Sequence, residues 1–116
     1  MKHTHFTDIP AEDMSSDGAQ GVQLRLLIGA DDGAPNFAMR RFEVAVGGCT
    51  PHHTHPFEHE VYILAGRGVI VADDGDKPIA AGTFAFVPPD ERHQFRNTGD
   101  EPLVFLCLIP IERRCC

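Results

Sequence analysis

The chain has 116 residues, enough for one core and one domain, with 17 acidic against 10 basic residues and a formal net charge of -7. That balance argues against a nucleic-acid-binding face or an anionic membrane surface as its target. No apolar run approaches the ~20 residues that span a bilayer, and Met1-Lys2-His3-Thr4-His5 has no apolar leader core, so a cytoplasmic location is expected.

Residues 1–20 are polar and lack a sustained period; they read as a loose N-terminal arm, with the mobile terminus a simpler reading of His3 and His5 than a ligand pair. Gln23 to Ile28 is the first strand candidate, closed by Gly29-Ala30-Asp31-Asp32-Gly33. A longer strand starts at Asn36-Phe37 and runs from Ala38 to Val46, ending at Gly47-Gly48. Phe42, Val44 and Val46 share one face of it. Arg40 has the parity of Phe42, so its guanidinium either reaches water at the rim or lines a pocket.

The densest chemistry comes next, in His52-His53-Thr54-His55-Pro56-Phe57-Glu58-His59-Glu60. Four of the seven histidines fall within this stretch. Neutral imidazole is the commonest protein metal ligand, so a transition-metal ion is the obvious user. Residues two apart in an extended strand point to one face. His53 and His55 therefore share a face, and His59 joins them if the chain stays extended past Pro56. His52, Glu58 and Glu60 turn the other way. A strand from His59 to Leu64 follows, with Val61 and Ile63 on the parity of His59.

After the turn Ala65-Gly66-Arg67-Gly68 come a strand at Val69 to Ala72, a hairpin turn at Asp73-Asp74-Gly75-Asp76, and Pro78-Ile79 leading to Ala81-Gly82. Thr83 to Val87 is an apolar strand and Pro88-Pro89-Asp90-Glu91 a tight connection. His93 to Asn97 forms the next strand, Thr98 to Glu101 a turn, and Leu103 to Ile109 the last long strand. His93 thus gives a fourth imidazole from a neighbouring strand. Residues 21–112 make the barrel and 113–116 a tail. Short strands with turn signals every eight to twelve residues mark an all-β sandwich or barrel. The four cysteines, Cys49, Cys107, Cys115 and Cys116, form neither a zinc ribbon nor a CxxC pair, so free thiols are expected.

Two runs of residues make the chain resemble the cupin superfamily, small double-stranded β-helix (jelly-roll) barrels. The family's first motif, G-x5-H-x-H-x3-4-E-x6-G, is matched by Gly47 or Gly48, His53, His55, a histidine (His59) at the glutamate position, and Gly66. The second, G-x5-P-x-G-x2-H-x3-N, is matched by Gly82, Pro88, Asp90 in place of glycine, His93 and Asn97. Asp90 suggests a slightly different turn. The resemblance implies a divalent metal held by His53, His55, His59 and His93. Manganese is favoured, with Fe, Ni, Cu or Zn as alternatives, because four imidazoles do not choose among late first-row ions. Imidazole in place of carboxylate leaves the ion its full charge, which favours anionic co-ligands. A closed tetrahedral structural site is the competing possibility.

The resemblance also turns Phe105 and Cys107, rather than their alternating neighbours, toward the barrel interior. With Arg40, Phe42 and Phe95 they become the expected pocket lining, apolar but for one cation; for Phe42, Val61 and Ile63, ordinary barrel filling is the preferred reading. The expected activity is a metal-dependent oxygenase acting on a small organic substrate, phenolic or dicarbonyl. The alternatives are a non-catalytic small-molecule or metal-binding module, and a redox-neutral sugar or keto-acid isomerase or lyase. A homodimer is expected, with the apolar strand Leu24 to Ile28 open to a partner.

Overall fold

Alternation of apolar and polar residues, punctuated by Gly, Pro and Asp, produces strands that each bury one face. The computed structural model describes residues 1–14 and 18–111. Among these are β1 (Glu12–Met14), β2 (Gln20–Ile28), β3 (Phe37–Cys49), β4 (His59–Ala65), β5 (Arg67–Ala72), β6 (Lys77–Ala80), β7 (Phe84–Val87), β8 (His93–Asn97) and β9 (Leu103–Pro110). The helical pieces are two short 3-10 turns, Phe6–Asp8 and Ala30–Asp32. No helix among the described residues is long and apolar enough to cross a membrane.

The strands run antiparallel in the order β6-β5-β8-β3-β9-β4-β7, with β2 on the free side of β3 and β1 on β2. The sheet curls on itself as an all-β barrel, one of the two architectures the strand pattern allows, and as the jelly roll that the cupin resemblance implies. β3 is the seam: it pairs with β9 from Phe37 to Val44 and reaches β8 through Cys49, opposite Arg96.

Register stacks the interior in layers. Val44 faces Leu103; Phe42 faces Phe105, which faces Ile63; Arg40 faces Cys107, which faces Val61. His59 is the next inward position of β4 beyond Val61, so the imidazoles begin where the apolar filling ends. On the opposite wall Ile70 meets Phe95, and Ile79 closes the core behind them. Phe105, Ile63, Leu103 and Val44 are the largest fully buried side chains. Each such burial stabilises the fold by roughly 1.5–3 kcal/mol.

Three sequence expectations need correction. The arm at residues 1–20 is not loose throughout its described part. Phe6 lies under the Arg41 guanidinium at 3.8 Å and the Arg25 guanidinium at 5.2 Å, Arg25 Nε donates to the Ile9 carbonyl at 3.0 Å, and β1 pairs with β2. Cation–aromatic contacts have no sequence period, so the pattern did not show them. Val46 does not continue the inward face of β3; it is 58% exposed. Val22 pairs with Val44 but Gln20 with Cys49, so β3 bulges outward between them. Gly47 turns there with φ of 78°, and a Cβ on Gly48 would meet the Gln20 carbonyl at 2.4 Å. Asp90 keeps a glycine-like turn rather than changing it, with φ of 67°. Asp tolerates this left-handed conformation better than most residues. The tail at 113–116, with Cys115 and Cys116, lies outside the described residues.

Candidate metal centre

The histidine-rich stretch is not one extended strand, as the parity reading required. Residues 50–58 form a connection between β3 and β4. Their placement comes from β8. Thr50 N–H donates to the Phe95 carbonyl (2.9 Å), and Thr50 Oγ1 accepts from Phe95 N–H (2.8 Å). Gln94 Nε2 donates to the Thr50 carbonyl (3.0 Å). His53 and His93 then exchange backbone N–H···O bonds of 3.3 and 3.2 Å. The Asp90 N–H holds the His55 carbonyl at 2.7 Å. His59 opens β4 opposite Val87, and His93 opens β8. The connection therefore supplies two imidazoles, and β4 and β8, which are separated by β3 and β9 in the sheet, supply one each.

These four rings converge. Centroids are 4.1 Å apart for His53 and His55, 4.8 Å for His59 and His93, 5.1 Å for His55 and His59, 6.0 Å for His53 and His93, and 6.1 Å for His55 and His93. With metal–nitrogen bonds of ~2.1 Å, ring centroids stand roughly 4.5–5.5 Å apart for neighbouring ligands and roughly 6.5 Å for opposite ones. The spacings lie within or close to that range. Among the described residues no group of three or more His, Cys, Asp or Glu side chains is arranged so that it could hold a metal ion as it stands. The structure therefore shows convergence of rings, and the donor chemistry has to be tested atom by atom.

His93 Nδ1 lies 3.0 Å from the Glu91 carbonyl. A carbonyl only accepts, so Nδ1 carries the proton, and Nε2 is left with its lone pair. This is the outer hydrogen bond that metal-binding imidazoles commonly make. His59 is 4% exposed, and its Nδ1 is buried without a hydrogen-bond partner. A buried polar atom without a partner costs free energy that a bound ligand would offset. Burial, then the neighbouring His93, Arg40, His55 and His53 charges, lower the His59 pKa to about 3. Burial, then His53, His93 and Arg40, lower that of His55 to about 4. Both imidazoles are neutral at physiological pH, the state a metal requires. The donor chemistry of these imidazoles suits a divalent ion, although their side chains are not arranged around one as they stand.

Beneath the rings lies a cavity of about 130 Å³, lined by the four histidines together with Arg40, Phe42, Phe95, Phe105, Cys107, Met14, Thr50 and Pro51. All five pocket residues expected from the sequence thus face the same space as the histidines. Phe42 stacks on Phe105 with centroids 5.1 Å apart, Phe105 on Phe95 at 4.5 Å, and the Phe95 ring meets His93 edge-on at 6.1 Å. Arg40 Nη2 donates to Cys107 Sγ at 3.1 Å, and its guanidinium lies 4.9 Å from the centre of the Phe42 ring. Burial pushes the Cys107 thiol up, and Arg40 partly opposes that. Larger depressions of about 320 and 410 Å³ run outside the barrel along Phe37 and Phe84, with Glu58 and Glu60 as their ionisable groups. They are broad surface hollows away from the histidines.

Sequence reasoning missed Thr50, whose hydroxyl and backbone set the histidine connection, and Met14, brought to the cavity by β1. An apolar residue in a polar arm carries no periodic signal, and a lone threonine carries none for a cross-strand clamp. Asn97, the last residue of the second motif, does not line the cavity. Its Nδ2 donates to the Val44 and Glu101 carbonyls (3.0 and 2.8 Å), and its Oδ1 accepts from Gly99 N–H (2.9 Å). Cys49 and Cys107 are free thiols, as expected.

Comparison with known proteins gives a family model described as Cupin domain, matching residues 40–109. The chain is similar to the solved structure of the polyketide cyclase RemF from Streptomyces resistomycificus, with a TM-score of 0.91 and 37% identity, covering 99% of this chain and 82% of that one. It is 32% identical to Protein SchB of Streptomyces halstedii over 82% of this chain and 67% of that protein. It is 37% identical to the 1-methylthio-D-xylulose 5-phosphate methylsulfurylase of Rhodospirillum rubrum over 65% of this chain, and spans about half of that protein (48%).

Proposed function

The chain belongs to the cupin family, and from that footing we propose that it is a divalent-metal-dependent, redox-neutral enzyme that closes rings in small poly-keto substrates. One observation carries this reading: among the described residues, four imidazoles and no carboxylate converge above an aromatic-lined cavity, in a chain 99% covered by similarity to a polyketide cyclase. A cupin fold by itself would not choose, because folds host many chemistries.

His53, His55, His59 and His93 would hold the ion. The resemblance points to manganese, although the donor set accepts any divalent late first-row metal. A divalent cation at these nitrogens supplies Lewis acidity, polarising a carbonyl and acidifying the adjacent C–H. The remaining work falls to the chain. Phe42, Phe95 and Phe105 make the cavity lining apolar, which keeps bulk water from the reacting carbons. Cys107 serves the cavity as a neutral thiol rather than as a base, since burial raises its pKa. Ring closure joins an enol carbon to a carbonyl carbon and releases one water, so it needs no oxidant. A sugar phosphate is less well supported, because Arg40 is the sole Lys or Arg side chain among the described cavity-lining residues.

An oxygenase, the reading the sequence favours, would use the same ligands and consume dioxygen. Metal-loaded protein incubated with a linear methyl triketone under strict anaerobiosis separates the two. The cyclase reading expects a phenolic product with loss of one water. Turnover that appears only with oxygen, with matching oxygen uptake, supports the oxygenase instead. Tight binding of the triketone with no product points to a non-catalytic binding module.

The partner of the barrel is a second copy. Phe84 is 79% exposed, Phe86 62% and Tyr62 48%, on the edge strand β7 and its neighbour β4. Leu26 (50%) and Ile28 (37%) on β2 are less exposed than Phe84 and Phe86, and β1 pairs with that strand from Val22 to Leu24. The outward face of β7 and β4 is therefore the better candidate for the dimer contact.

A further inference from the structure

Among the described residues, Arg40 is a cation built into the wall of the cavity with no anion to balance it. It sits at the same level as Val61 and Cys107, one layer inside His59. Its one side-chain hydrogen bond goes from Nη2 to Cys107 Sγ at 3.1 Å, and thiol sulfur is a weak acceptor. Its Nε is buried without a partner. The ion pairs among the described residues, Lys2–Asp32, Arg41–Glu43 and Lys77–Asp74, do not include it, and no Asp or Glu lines the cavity. The Phe42 ring beneath the guanidinium holds it in place without occupying its remaining donors.

Guanidinium stays charged at every physiological pH, and its planar fork matches a carboxylate in two parallel hydrogen bonds. The aromatic stack from Phe42 through Phe105 to Phe95 runs from this fork to His93. Arg40 and the four imidazoles line the same cavity, so one small molecule in it can reach both.

We propose that Arg40 is a carboxylate-docking residue, and that the substrate is a planar keto or aryl acid bearing one free carboxylate. This assignment rests on the cavity reading above and narrows it to anionic substrates. Arg40 positions the acid; it takes no part in bond making.

Binding of benzoate and of benzamide, an uncharged molecule of similar shape, tests the assignment. Calorimetry on metal-stripped protein, at a pH of ~8 where free imidazoles are neutral, removes the metal and the histidines as anion sites. The intact protein should bind benzoate ~10-fold or more tightly than benzamide, a preference on the scale of one charge-assisted pair. Arg40→Met should erase the preference. Arg40→Lys, which keeps the charge but not the fork, should retain part of it. If Arg40→Met fails to fold by circular dichroism, the intact protein and Arg40→Lys still decide. Equal affinity for acid and amide in the intact protein, or a preference that survives in folded Arg40→Met, overturns the proposal. Failure of ring closure with the acid preference intact counts against the cyclase reading alone. Ring closure that runs equally well on a neutral triketone and on its carboxylate analogue counts against Arg40 alone.

Discussion

Replacing Asn97 by Ala separates the structural half of the second motif from its metal half. Asn97 is 6% exposed and makes three hydrogen bonds, to the Val44 carbonyl, the Glu101 carbonyl and the Gly99 N–H. It thereby ties the turn between β8 and β9 to β3, next to the outward bulge. Truncation removes all three bonds, each worth roughly 1 kcal/mol net, and leaves the inward-facing Val44 carbonyl with a lost partner, so the expected loss is about 3–4 kcal/mol. For a domain of this size the melting temperature should fall by roughly 10–15 °C. Asn97→Asp keeps the acceptor for Gly99 but sets a buried carboxylate against the Val44 and Glu101 carbonyls, and should cost at least as much as the alanine. Urea and thermal unfolding followed by circular dichroism measure this. Metal affinity, titrated where the variant is still folded, should match that of the intact protein. A destabilisation below about 1 kcal/mol, or a tenfold fall in metal affinity of the folded variant, would refute the structural role given to Asn97.

Acid should weaken the metal-free protein before its carboxylates titrate. Native pKa values of about 4 for His55 and about 3 for His59 lie below the ordinary 6.5, so the unfolded chain binds more protons in that window. Stability from these groups is complete above about pH 6.5 and falls as pH drops toward 4 and then 3. Unfolding free energy measured across this range should show the decline, His59→Leu should flatten it, and a flat profile in the intact protein would contradict the buried-neutral assignment. At Asp90, whose φ is 67°, glycine should leave stability within about 1 kcal/mol, whereas Asp90→Val should cost about 1–2 kcal/mol more because β-branching resists that conformation. Equal melting curves for the two variants would argue against a left-handed turn. Finally, Phe84→Ser with Phe86→Ser should convert a dimer to a monomer by light scattering while Leu26→Ser does not; the reverse result would move the interface to β2.

Much of the barrel is legible in the sequence because two-residue alternation, cut by Gly-, Pro- and Asp-rich turns, survives in nearly every strand. His59, Val61 and Ile63 of β4 point inward as parity requires, and so do His93, Phe95 and Asn97 of β8. The two-motif spacing also picks out the four histidines that converge. What parity cannot reveal is how the His53–His55 connection is held, since Thr50 and β8 do that through backbone bonds that leave no pattern. Nor does it reveal where a strand bulges, which is why Val46 is outside. The Phe6 contacts of the N-terminal segment join residues distant in sequence by cation–aromatic geometry, which no local window contains. At Asp90 the residue type hinted at a changed turn, whereas the backbone of the surrounding turn imposes the glycine conformation on an aspartate.

The account turns on whether the four imidazoles share one ion. Elemental analysis of protein purified without chelators, alongside single His→Ala variants at positions 53, 55, 59 and 93, measures this directly. About one divalent transition metal per chain is expected, with each substitution lowering affinity by ~10-fold or more. Metal-free protein that takes up no stoichiometric ion on titration, or an ion retained undiminished after His59 and His93 are both removed, would contradict it.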